Sequence, residues 1–355
     1  MNRNNSFDIA RHIAALAVIF SHHFAFNGIP EPKVLGITKL GTFAVLVFFS
    51  ISGYLIAGSY LNSSSLQSYY TKRIKRIFPA LIVCSFVMIY IICPIFGTGN
   101  GIDYILSENA FIAFLDYSTL GWHPSDINGF ASNYIHKNML NGSLWTLGFE
   151  FTAYVLLSII LFRKKNIIAS TFFAICFFIV IQLSILNGIK IPHTGDLNRL
   201  SLLCTTFLCG SLLYITRSYW STTSAKITLI VLALSCALFI SEKNEYDLMF
   251  YISVPFFIVP LCTLFTDKII NGKFDISYGM YIYAYPIQQI IVNKANLGFY
   301  GSLFTSLLLI IILACASWLL IEKRFLVKSK RKQRKCRMYV KHSLICTLYI
   351  LVSII

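Results

Sequence analysis

Charge is scarce in this sequence. Asp, Glu, Lys and Arg make up 12% of its 355 residues, against 57% hydrophobic ones, whereas a soluble domain carries about 25%. A water-soluble fold is thereby excluded. No stretch between the hydrophobic runs is long enough to form a separate soluble domain. The ten cysteines form no CxxC pair and no metal-ligand spacing, so neither a disulfide framework nor a metal site is expected; they read as small apolar residues within helices. A cleavable signal peptide is lacking too. The first apolar run holds Asp8, Arg11, His12, His22 and His23 and has no clean small-residue cleavage site. Internal repeats and the inverted pseudo-symmetry of many transporters are missing. Gly97-Thr98-Gly99-Asn100-Gly101 lacks the Lys-Ser/Thr of a phosphate loop and reads as a flexible turn.

What the chain does have is hydrophobic length. Runs of roughly 18 residues or more can cross the hydrocarbon core as helices. Ten occur, near 8–27, 40–60, 77–96, 143–162, 166–186, 199–216, 226–241, 248–266, 276–294 and 300–321. They predict an all-α fold, a polytopic transmembrane bundle of about ten helices. The stretch 339–355 either crosses as a short eleventh helix or lies at the interface. The expected division is a membrane domain over 1–326 and a basic cytoplasmic tail with a terminal apolar segment over 327–355. The long segment 97–142 is expected on the outer side as a lid or re-entrant element.

A net charge of +16 raises the question of nucleic acid, but its distribution points to membrane orientation. With the N-terminus inside, 22 of the 30 Lys and Arg residues fall on the cytoplasmic side, seven on the other, and Arg11 within the first helix. The positive-inside rule predicts this asymmetry. The expected partner is therefore membrane lipid, not nucleic acid.

Ionisable residues within a membrane are costly and point to function. Arg11 and His22 are eleven residues apart, which places them on one helix face about 16 Å apart. Asp8 lies one turn before Arg11 and can pair with it. Arg11 either serves a site or snorkels to headgroups; His22 is too deep for that escape. Glu150 sits about 10 Å below the outer surface, at a depth like that of His22. The two either pair or separate, with Glu150 bonded elsewhere or lining a water cavity. Arg73 and Arg76 lie one turn apart ahead of the third run. They either clamp a phosphate bidentately or anchor the chain to lipid.

Taken together, these segments resemble the integral membrane acyltransferase 3 family, of the polysaccharide O-acetyltransferase type. The resemblance rests on Arg11 and His22, Phe48-Phe49-Ser50-Ile51-Ser52-Gly53-Tyr54-Leu55-Ile56, Arg73-x-x-Arg76-Ile77-x-Pro79, and Ser143-Leu144-Trp145-Thr146-Leu147 with Glu150. Ser277-Tyr278-Gly279-Met280-Tyr281 and Glu322 complete it, in order over about residues 6–326. Two departures stand out: Ala284 replaces a histidine common in the ninth helix, and Arg324 a proline common in the tenth.

The resemblance implies a membrane-bound O-acyltransferase, most simply an O-acetyltransferase, of the bacterial cytoplasmic membrane. It would move an acyl group from cytoplasmic acyl-CoA, acetyl-CoA by preference, to a carbohydrate hydroxyl of a surface polysaccharide or lipid-linked oligosaccharide. In this reading His22 and Glu150 are the catalytic pair, and Arg11, Arg73 and Arg76 bind the donor. The alternative from another class is a transporter or flippase, in which His22, Glu150 and Arg11 line a solute path without acyl chemistry.

Overall fold

The structure is a computed structural model and describes residues 5–120, 126–163, 165–189, 193–240, 247–270 and 272–326. The tail expected over 327–355 lies outside the described residues. Apart from one antiparallel hairpin, β1 (Lys33–Val34) with β2 (Thr38–Lys39), the regular elements are helices. In order they are α1 (Phe7–Phe26), α2 (Leu40–Leu61), α3 (Leu66–Val87), α4 (Cys93–Phe96), α5 (Gly101–Ile105), α6 (Glu108–Ser118) and α7 (Trp145–Ile160). Then follow α8 (Ile167–Leu186), α9 (Thr194–Ile215), α10 (Thr223–Leu238), α11 (Leu248–Leu264), α12 (Ser277–Lys294) and α13 (Gly298–Ser317). A π turn, Met88–Ile92, joins α3 to α4, and a second, Trp318–Glu322, follows α13.

Each of the ten apolar runs falls on a helix. Six helices among the described residues are long and apolar enough to cross a membrane by length and composition: α1, α2, Leu66–Phe96, α8, α9 and Gly298–Leu326. The others fall short for physical reasons. Helices α7, α10 and α11 have 16, 16 and 17 residues, below the roughly 20 that span the core, and α12 carries four Tyr and two Gln. Helix α3 starts at Leu66, well before its apolar run. Ser65 caps it by accepting a hydrogen bond from the Ser68 amide at 3.1 Å, and nothing breaks the helix before Pro79. The basic segment Lys72–Arg76 is therefore helical.

Two devices hold the bundle. Helices α2 and α9 cross at glycines, where a Cβ on Gly53 would collide with the Phe207 carbonyl and one on Gly210 with that of Ser50. Small residues at such a crossing let backbones touch where lipid offers no hydrophobic drive. Prolines provide the second device. Pro286 has no N–H to bond the Ile282 carbonyl, and Asn141 Nδ2 takes that acceptor at 2.8 Å. Likewise Thr206 Oγ1 donates to the Tyr251 carbonyl, orphaned by Pro255, at 3.0 Å. Helix α12 is thereby tied to the loop before α7, and α11 to α9.

The glycine run after α4 is packed, contrary to its reading as a flexible turn. Asn128 Nδ2 donates to the Cys93 carbonyl at 3.0 Å, and a Cβ on Gly97 or Gly99 would strike Asn128.

Candidate active site

The ends of α2, α11 and Trp318–Glu322 and the starts of α1, α3 and α12 meet at one end of the bundle. A cavity of about 800 Å³ penetrates from there. Along α2 its lining runs from Val45 to Ile56, about 16 Å at 1.5 Å per residue. Its mouth is basic: Lys72, Arg73, Lys75, Arg76, Lys273 and Lys323 all face it, and Arg11 joins them. Glu150 and Tyr154 line it further in, with Ser52, Phe48, Thr146 and Tyr281.

At the basic end the central acid is Asp275, just before α12. Its Oδ2 accepts from Arg76 Nη2 at 2.8 Å and lies 3.5 Å from Arg11 Nη2. Ser277 Oγ donates to Oδ1 at 2.6 Å. Burial would raise this carboxyl, but Arg76 foremost and then Arg11 hold it well below the usual carboxylate range. Arg11 also pairs with Asp8, and Arg76 Nη1 lies 3.8 Å from Glu322 Oε2. The π turn after α13 sets Glu322 in place, its Oε1 accepting from Ser317 Oγ at 3.1 Å. Such turns recur at functional sites.

Glu150, one-third of the way along α7, accepts from Ser52 Oγ at 2.8 Å and from Tyr154 OH. Deeper still, Tyr281 OH donates to the Ser143 carbonyl at 2.7 Å and meets Thr146 Oγ1 at 2.5 Å. The Phe48 ring packs edge-on against Tyr281, with centroids 5.7 Å apart.

His22 lies elsewhere. It does not line the cavity, and no hydrogen bond or ion pair joins it to Glu150 among the described residues. Its ring stands edge-on to Tyr285, centroids 5.5 Å apart, and 6.0 Å from Phe26. His136 in turn stands edge-on to Phe26, with centroids 5.5 Å apart. Glu31, His136 and Lys39 are the titratable groups within electrostatic reach of His22, and its Nδ1 is buried without a hydrogen-bond partner. Glu31 itself accepts from Ser21 Oγ at 2.7 Å and pairs with Lys39 at 3.3 Å. The carboxylate near His22 is thus that of Glu31, from the loop after α1. Tyr281, in the cavity wall, and Tyr285, against His22, are one turn apart on α12, about 6 Å.

A family model described as an acyltransferase domain, acyltransferase 3, matches residues 4–322. The chain belongs to the acyltransferase 3 family. An O-acetyl transferase of Shigella phage Sf6 is 34% identical over 337 residues, covering 94% of this chain and 99% of that protein. Nodulation protein 10 of Rhizobium leguminosarum bv. viciae is 31% identical over 179 residues, 44% of each chain. No solved structure matches. This acyltransferase is therefore an enzyme built on a membrane-type helical bundle.

In this acyltransferase the cavity collects four of the five residues singled out from sequence: Arg11, Arg73, Arg76 and Glu150. His22 stands beyond its inner end. Sequence reasoning missed Asp275, Tyr154 and Glu31, and quoted Ser52 and Tyr281 within motifs without giving them a role. For Asp275 a signal existed: a lone acid next to Ser277-Tyr278-Gly279 in a chain with only 14 acids.

Proposed function

We propose that this chain transfers an acyl group, acetyl by preference, from acyl-CoA on the cytoplasmic side to a hydroxyl of a surface or lipid-linked carbohydrate. The observation that carries the reading is a deep cavity with a cationic mouth and polar inner wall, whose Tyr281 lies one helical turn from Tyr285, the ring that packs against His22. A nucleotide thioester fits such a site chemically. Its phosphates would face the lysines and arginines, and its pantetheine arm would run along the α2 wall of Val45, Phe48, Leu55 and Ile56. The protein would sit in the bacterial cytoplasmic membrane as a ten-span bundle over 1–326, with the N-terminus and the basic end inside. The polarity of the basic end supports this orientation.

His22 is the group suited to general-base work near neutral pH. It would accept the proton of the acceptor hydroxyl as that oxygen forms the new ester, and return it to the departing thiol. Glu150 would position the reacting groups from the cavity side through Ser52 and Tyr154. The layer formed by Phe48, Tyr281 and Tyr285 must part for donor and His22 to meet. Family membership disfavours a carrier without acyl chemistry. The test is reconstitution of the full chain in liposomes with labelled acetyl-CoA inside and a lipid-linked glycan pool. Label is expected in the glycan; none with acetyl-CoA or longer acyl-CoAs would contradict the reading.

A further inference from the structure

We infer that the two arginines of the α3 pair do different work, Arg73 contacting the donor's phosphates and Arg76 acting as a positioning residue. The inference rests on the acyl-CoA reading above and names which cations serve it.

Arg76 is already committed. It is bonded to Asp275 at 2.8 Å and faces Glu322 at 3.8 Å. Arg11 is committed in the same way, to Asp8 and Asp275. These five groups are two cations and three carboxylates from four segments of the chain. A phosphate brought to Arg76 would come within a few ångströms of Asp275 and Glu322. Like charges that close repel, which cancels much of what the guanidinium offers.

Arg73 has no such partner. Among the described residues no carboxylate lies in ion-pair distance of it. Its Nη2 reaches only the Ser59 hydroxyl, at 3.4 Å, and its Nε is buried without a partner. Its guanidinium lies over the Tyr154 ring at 5.8 Å. Lys72 bonds a neutral hydroxyl, Ser63 Oγ, at 2.9 Å. Lys75, Lys273 and Lys323 also face the cavity with no carboxylate paired to them among the described residues. The unpaired positive charge of the mouth therefore lies on Arg73 and this lysine rim. Three phosphate groups with a 3′-phosphate and a pyrophosphate match a rim of that kind better than a single two-arginine clamp.

The test is CoA binding to the detergent-solubilised full chain by calorimetry, beside the melting temperature of the unliganded protein. Arg73→Gln and Lys273→Gln are expected to weaken CoA binding about 10-fold or more and to leave the melting temperature near that of the unmodified protein. Arg76→Gln is expected to lower the melting temperature. Arg76→Lys, which keeps the pair with Asp275, is expected to restore it and to bind CoA within about 3-fold of the original. Arg76→Lys or Arg76→Gln with a normal melting temperature and a 10-fold loss of CoA affinity would overturn the inference while leaving the donor reading intact. An unmodified chain that binds no CoA would overturn the donor reading and this assignment with it.

Discussion

Two guanidinium groups, on α1 and α3, converge on the one carboxylate of Asp275. Removing its charge leaves two half-buried guanidinium groups with only Asp8 and Glu322 as counter-ions, a loss that approaches the roughly 3–5 kcal/mol of a broken buried pair. Asp275→Asn should therefore lower the melting temperature of the solubilised protein clearly at pH 7. The sign with pH follows from linkage. The folded carboxyl sits below its ordinary value of about 3.9, so its stabilisation is complete above that value and is lost as pH falls further. The gap in melting temperature between the parent and Asp275→Asn should hold constant from pH 8 to about 5 and narrow below about 4; a gap that widens in acid would contradict the pairing. Glu150→Gln keeps the shape but not the charge bonded by Ser52 and Tyr154, and should lower turnover about 10- to 100-fold with unchanged folding. Full turnover would remove Glu150 from the mechanism. At this scale neither the relative depth nor the azimuth of these residues was legible in the sequence. Counting puts residues 22 and 150 at similar depths, yet Ser21 meets Gly41 while Glu150 meets Ser52, eleven residues or about 16 Å further along α2, because the offset and rotation of each helix are set by neighbours that no local pattern encodes.

Element positions were legible wherever length and apolar content decided them, and all ten runs fall on helices. Element ends were legible only in part. The start of α3 was hidden because Lys72, Arg73, Lys75 and Arg76 end the apolar run while Ser65 begins the helix. The π turn that aims Glu322 at Arg76 has no sequence signature of its own, and neither has the use of Asn141 to satisfy the Ile282 carbonyl. Glycine in an apolar helix was a clearer marker. Gly53→Ala puts a methyl group against the Phe207 backbone at the α2–α9 crossing, where no flexible side chain can give way. We expect a loss of about 1–3 kcal/mol, read as a lower melting temperature, with CoA affinity preserved in the protein that stays folded. An unchanged melting temperature would show that the two helices separate at little cost.

Across the whole molecule, the proposed mechanism draws donor and acceptor from opposite ends of one bundle, the cationic cavity at one and the His22, Phe26, Tyr285 and His136 cluster towards the other. Its orientation is checked by reporters fused after Leu326. A fluorescent protein placed there should fluoresce and alkaline phosphatase should stay inactive; the reverse would turn the molecule over. The division between the ends was only half legible. The 11-residue spacing puts Arg11 and His22 on one face of α1, but that the cavity includes the first and stops short of the second depends on packing between α2, α7 and α12. In the proposed mechanism His22 performs the transfer although it lies outside the cavity. The most direct measurement is acetyl-CoA-dependent labelling of surface glycans by membranes carrying this chain or its His22→Ala variant at equal folded amounts. Labelling should disappear in the variant while CoA binding persists. Undiminished labelling with His22→Ala would contradict it and move the chemistry to the cavity wall.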